Sequence, residues 1–167
     1  MELVNFEWYN IPMENISQKI TANVKAVFHN VITGEDFVIE KHNISCTAGK
    51  ESTANRLAGG TNKGVVTYLA LGTGAVTGGD TPDATDTQLV TELIRKLISV
   101  RSASGLVASF RTFFNTSEAN DTLTEIGLFG DDASVTANSG VLYARAAISK
   151  TKTSSETLTI DWAITVG

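Results

Sequence analysis

The sequence predicts a mainly β chain of the α+β class with one or two short helices, an antiparallel β-sandwich-like domain preceded by an N-terminal arm. Three observations carry this. Charged residues make up 19% of the 167, and the Thr, Ser, Gly and Ala that replace them suit pleated surfaces and close subunit contact. From Leu106 onward, apolar residues recur at every second position in several segments, the period of a strand with one buried face. Turn-forming residues separate those segments at hairpin-like intervals.

A chain of this length fits one domain and buries roughly 70% of its unfolded surface on folding, so neither a disulfide framework nor a structural metal is needed. Residues 1–20 are read as the arm and residues 21–167 as one β-rich domain, in which 21–64 hold a hairpin and a short helix and 65–167 a sandwich. The arm places Phe6, Trp8, Tyr9 and Pro12 without a regular period. Its aromatic rings, above all Phe6, Trp8 and Tyr9, are the candidate interface residues; whether they fold onto their own core or dock on a neighbouring subunit stays open.

Ile20 to His29 and Phe37 to Lys41 flank a turn-rich stretch in which Gly34 can adopt positive φ, and a β-hairpin follows. Thr47 to Leu57 is compatible with a short helix ended by Gly59-Gly60. Val65 to Leu71 reads as a buried strand, after which a polar loop with Gly78, Gly79 and Pro82 runs to Asp86. Thr85 and Gln88 have capping-box spacing, and Leu89, Leu93 and Leu97 with Ile94 and Ile98 make a stripe at helical period. A helix of about three turns is expected there. Four strands follow, carried by Leu106, Ala108, Phe110 and Phe114; by Ile126 and Leu128; by Leu142, Ala144, Ala146 and Ile148; and by Leu158, Ile160, Trp162, Ile164 and Val166.

With 13 basic and 18 acidic residues the net charge is −5, and the cations are scattered, which argues against nucleic acid as a partner. Apolar runs are too short for a membrane span, and the first residues lack the pattern of a signal peptide. Cys46, the single cysteine, has no intrachain partner and is read as a small core residue. His42 with Cys46 supplies two zinc ligands where a structural site needs four. Asp80, Asp83 and Asp86 offer fewer oxygens than a calcium cage normally takes. Gly72-Thr73-Gly74 lacks the third glycine of a dinucleotide loop, because Thr77 stands there, so these glycines are read as turn formers. Glu118, Asp121 and Glu125 have no histidine or lysine partner close in sequence. No catalytic residue, metal ligand or cofactor is assigned, and the chain is not expected to be an enzyme. A glycan-binding surface would draw on Trp8 and Tyr9, since Trp162 falls on the apolar face of the last strand.

Four stretches resemble a known family: Tyr68-Leu-Ala-Leu-Gly-Thr-Gly74, Asp86-Thr-Gln-Leu-Val-Thr-Glu-Leu-Ile-Arg-Lys96, Phe113-Phe-Asn-Thr-Ser-Glu-Ala-Asn120 and Leu123-Thr-Glu-Ile-Gly-Leu-Phe-Gly130. They are similar to the N-terminal domain of tailed-bacteriophage tail-collar fibre proteins and their short stand-alone relatives. The shared pattern is a "GTG" loop, a "T-x-L-x-x-E-x-x-R" helix and an "EIGLF" strand, over roughly residues 65–166. The resemblance implies a tail-fibre-like sandwich and a non-enzymatic structural protein of the phage virion, made in the bacterial host cytoplasm. It implies a homo-oligomer, expected as trimer or hexamer, that contacts other virion proteins in the tail, neck, collar, fibre or baseplate, with no nucleic acid or membrane as partner. Without shaft repeats after the domain, an adaptor, collar, baseplate or decoration role is favoured over receptor recognition. The alternatives are a capsid decoration (cement) protein and a host glycan-binding module. Within the motifs, Gly127 would admit a bend or a close neighbour, Glu125 would face away from Ile126, and Arg95 is a candidate partner for Glu125.

Overall fold

The computed structural model describes residues 20–61, 63–74 and 81–166. Phe6, Trp8 and Tyr9 of the arm lie outside the described residues. The elements are β1 (Ile20–Asn30), β2 (Asp36–His42), β3 (Ile44–Ser45), α1 (Thr47–Leu57), β4 (Val66–Gly72), β5 (Glu92–Leu97), β6 (Val100–Ser104), β7 (Val107–Phe114), β8 (Thr122–Gly130), β9 (Val141–Thr151) and β10 (Glu156–Val166). They form two five-stranded antiparallel sheets with one short helix, a β-sandwich-like α+β fold: sheet A in the order β2-β1-β10-β7-β6, sheet B in the order β3-β9-β8-β4-β5.

Sheet A follows from strict alternation. Ala22, Val24, Ala26 and Phe28 of β1 and Leu158, Ile160 and Trp162 of β10 are all buried, and the residues between them face outward. β1 and β10 pair along eleven residues, from Ile20 opposite Val166 to Asn30 opposite Glu156. The β1–β2 hairpin is made by Asn30, whose Oδ1 accepts the N–H groups of Ile32 and Thr33, and by Gly34 at φ +76, a conformation glycine takes without steric cost. Trp162 is core, and its Nε1–H donates to Asn43 Oδ1 at 3.1 Å, which satisfies the one polar atom the ring brings inside.

Sheet B is covered on both faces, so β8 is buried almost continuously from Leu123 to Gly130 instead of alternating. Ile126 and Leu128 join the core between the sheets. On the opposite face Phe129 packs with Cys46, Ala70, Leu89 and Leu142 in a second apolar cluster. There α1 lies so close to β9 that a Cβ on Gly49 would sit 2.6 Å from the Tyr143 Cα. The helix ends as expected, with Gly59 left-handed at φ +89 just past it.

The helix expected over residues 85–98 does not exist. Thr85 hydrogen-bonds back to Asp83, its N–H and its hydroxyl both donating to Asp83 Oδ1, so no capping box forms. Residues Glu92–Leu97 are strand β5, paired with β4. The leucine stripe is split: Leu89 is fully buried, whereas Leu93 and Leu97 are 41% and 63% exposed. Tertiary structure outweighs the local period because the strand pairs the free side of β4 and brings Ile94 to the inter-sheet core, while the N–H groups ahead of it are taken by side chains of distant residues.

Burial pushes the Cys46 thiol up to about 11, which keeps it protonated and unreactive near neutral pH. Thiol reagents at mildly alkaline pH are therefore expected to leave the folded protein unlabelled and to modify Cys46 fully in denaturant. Labelling of the native protein at the rate of a free thiol would contradict this packing.

Candidate functional site

Backbone N–H groups of Gly74, Val90 and Thr91 converge on one atom group, the carboxylate of Glu125. Its side chain is 1% exposed on the outer face of sheet B. Oε1 accepts the N–H of Gly74 at 2.8 Å and of Thr91 at 3.1 Å. Oε2 accepts the N–H of Val90 at 2.8 Å and Arg145 Nη2 at 2.7 Å. Four donors thus replace the water that a buried carboxylate would otherwise lack. The Arg145 guanidinium, 3% exposed, reaches Asp86 Oδ2 at 2.6 Å through Nη1, so the two acids hold it from both sides.

This geometry explains the glycines of the GTG stretch. A Cβ on Gly74 would lie 2.1 Å from Glu125 Oε1, and one on Gly72 would lie 2.7 Å from Thr91 O and 2.9 Å from the same carboxylate oxygen. Their role is close approach, whereas the sequence reading had made them turn formers. Gly127 likewise makes room: a Cβ there would meet Leu89, Leu142 and Phe129 side chains at 3.0 Å.

Arg95 does not pair with Glu125. It pairs with Glu92, Nε to Oε1 at 2.6 Å and Nη2 to Oε2 at 2.7 Å, with both side chains almost fully buried. In a regular strand residues three apart face opposite ways, but the register slips between Leu71 opposite Ile94 and Gly72 opposite Glu92. Leu93 is the extra residue of a bulge, which turns Glu92 onto the face of Arg95. The guanidinium lies over the Phe129 ring at 4.5 Å and donates through Nη1 to Ser134 O and Ser139 O. Asn138, left-handed at φ 54, closes the contact: its N–H donates to Glu92 Oε2 and its Oδ1 accepts the N–H of Leu89.

A third buried polar group ties α1 to the sheet. Tyr143 Oη donates to Asp131 Oδ1 at 2.8 Å and lies 2.7 Å from Ser52 Oγ; Ser52 Oγ donates to Asp131 Oδ2 and accepts the N–H of Gly64. Burial pushes Tyr143 up to about 12. For Asp131, burial acts upward, but the hydroxyls of Ser52 and Tyr143 and the nearby Lys63 ammonium outweigh it and hold the carboxyl below its ordinary range.

The outer face of sheet A is the open counterpart. A cleft of about 740 Å³ lies across it. Register places Glu40, Lys25, Asp161, Arg111 and Val100 in one row over all five strands. Within this row Arg111 grips Asp161 through two parallel bonds, the longer at 2.9 Å, and Lys25 meets Glu40 at 3.2 Å. These charges are neutralised in place.

The other sequence candidates are dispersed. His42 stands on exposed β2 while Cys46 is buried in the outer cluster of sheet B. Asp83 and Asp86 are spent on Thr85 and Arg145, and Asp80 lies outside the described residues. Among the described residues no three His, Cys, Asp or Glu side chains are placed to hold a metal ion. Glu118 chelates the Lys96 ammonium with both oxygens at 2.8 Å. The Glu125–Arg145 pair was missed in the sequence, although it left a signal: a lone acid between Leu123 and Ile126, and a lone arginine between Ala144 and Ala146. In comparison with known proteins, the chain matches no family, no curated protein and no solved structure.

Replacing Glu125 by Gln keeps the shape but turns an amide NH2 toward N–H donors and leaves Asp86 as the one carboxylate on the buried Arg145 guanidinium, at an expected cost of about 3 kcal/mol. Urea unfolding measures this, and Arg145→Met added to E125Q should cost much less than it does alone. For Asp131 the folded value lies below the unfolded one, so its contribution is present above the unfolded carboxyl value and is lost as pH falls through the folded one. Asp131→Asn should therefore flatten the acid limb of a stability-against-pH curve; an unchanged limb would place the acid sensitivity elsewhere.

Proposed function

We propose that this chain is a non-enzymatic structural component of a tailed-phage virion, acting through protein–protein interfaces in the tail, neck, collar, fibre or baseplate apparatus. The observation that carries the reading is the convergence of the family-like stretches. Residues of the GTG loop, the T-x-L-x-x-E-x-x-R segment and the EIGLF strand meet around Glu125 and Arg95. A motif whose polar atoms are buried and spent on one another holds a scaffold together and leaves little for chemistry.

The partners of this reading are further copies of the chain, as a trimer or hexamer, and neighbouring virion proteins; the chain would be made in the host cytoplasm and work in the particle. Among the described residues nothing covers the outer face of sheet A, and its row of charges, paired across the strands, costs little to cover. Capsid decoration is the alternative location, since the same acidic, β-rich surface suits a capsid lattice.

Immunogold electron microscopy of intact phage particles, with antibody raised against this chain, tests the proposal. Label on the neck, tail or tail tip is expected. Label spread over the head would make it a decoration protein, and absence of label from intact and disrupted particles would refute a virion role.

A further inference from the structure

Among the described residues the two sheets present four edge strands, and three of them are guarded against pairing with another chain. β2 carries Asp36, Glu40 and Lys41; β5 carries Glu92, Arg95 and Lys96 and is broken by the bulge at Leu93; β3 is two residues long. Charges, bulges and shortness are the devices by which natural edges avoid unintended partners. β6, Val100-Arg101-Ser102-Ala103-Ser104, has none of them. All five residues are exposed, it runs in regular register with β7, and its one charge is drawn off the edge, since Arg101 Nη1 donates to Val66 O in sheet B at 3.2 Å.

We propose that β6 is the seam across which two copies of this chain join, antiparallel and about a two-fold axis at Ser102, so that two sheets A become one ten-stranded sheet. The register is self-complementary. Val100 falls opposite Ser104 of the second copy and Arg101 opposite Ala103, so no like charges face each other although each chain carries net −5. A five-residue strand pair, about 17 Å long, buries less than the roughly 1,000 Å² of a stable interface. Apolar side chains at the two ends of β6 extend it: the two-fold brings Leu106, in the turn after β6 of one copy, to the end of β6 in the other, which Leu97 precedes. Leu106 and Leu97 are 65% and 63% exposed in the single chain, and the two-fold makes this contact twice. The axis also bears on the expected oligomers, since a three-fold ring contains no two-fold whereas a hexamer of paired trimers does.

Size-exclusion chromatography with light scattering, on the full chain over a range of concentrations, reads the result. The wild type should form an even-numbered assembly of 17.7 kDa subunits. Ser102→Glu, which opposes two carboxylates on the axis, should halve its mass with an unchanged far-ultraviolet circular dichroism spectrum. Independently, Ser102→Cys should form a disulfide-linked dimer on mild oxidation, because residues directly opposite across a strand pair lie within disulfide reach, and buried Cys46 stays out of the reaction. A wild-type monomer at every concentration, an odd-numbered assembly, or a mass that S102E leaves unchanged would overturn the proposal; so would failure of S102C to cross-link. None of these outcomes depends on where in a particle the protein resides.

Discussion

The carboxylate of Glu125 holds together segments that no ladder of strands would join. Its four donors come from the end of β4, from the chain entering β5 and from β9, so one side chain fixes the path of residues 72–74 and 90–91 over the outer face of sheet B. Removing water from an acid and a guanidinium is costly, and the cost is offset only while every acceptor is used. Leu89 lies over Phe129 and Leu142 because the backbone beside it is tied down. The bulge that turns Glu92 toward Arg95 follows within a few residues, and with it the docking of the 131–140 loop.

Much of this fold is written in local pattern. The alternation in β1, β7 and β10 is plain because each has one buried face, and α1 with its terminal glycine is equally direct. The stretch 85–98 misleads because leucines four apart mimic a helical stripe, although one faces a buried cluster and two face solvent. Only the partners decide it, and they lie at Glu125, Asn138 and β4, far off in sequence. The same distance hides the polar core. The sequence suggests Glu125 as the partner of Arg95, whereas a bulge, which no local spacing announces, places Glu92 beside it. The short edge strand β6 leaves no period to read, since Val100-Arg-Ser-Ala-Ser carries no apolar face to alternate.

The two sheets divide the labour. Sheet B is enclosed on both sides, and its exposed positions are few, so the family-like residues concentrate there and are constrained by contact in every direction. Sheet A is enclosed on one side and carries on the other a row of paired charges beside a row that exposes Val38 and Phe113. A protein that works by being covered needs such a division, because a surface that meets partners must vary without disturbing what supports it. The proposed role in a virion rests on that contrast and on the motif likeness.

The pairing of β1 with β10 has a consequence for biosynthesis. The first described strand to leave the ribosome is held between β2 and β10, and its eleven-residue register closes only after β10 has emerged. Sheet B, whose last strand is β9, has all its strands earlier. Assembly during translation would therefore proceed with sheet B first, while Val24, Ala26 and Phe28 of β1 wait uncovered for Trp162 and its neighbours. Such long-range closure is slow, and it makes sheet A the later of the two sheets to be completed, so that the open face is finished only after the enclosed one that supports it.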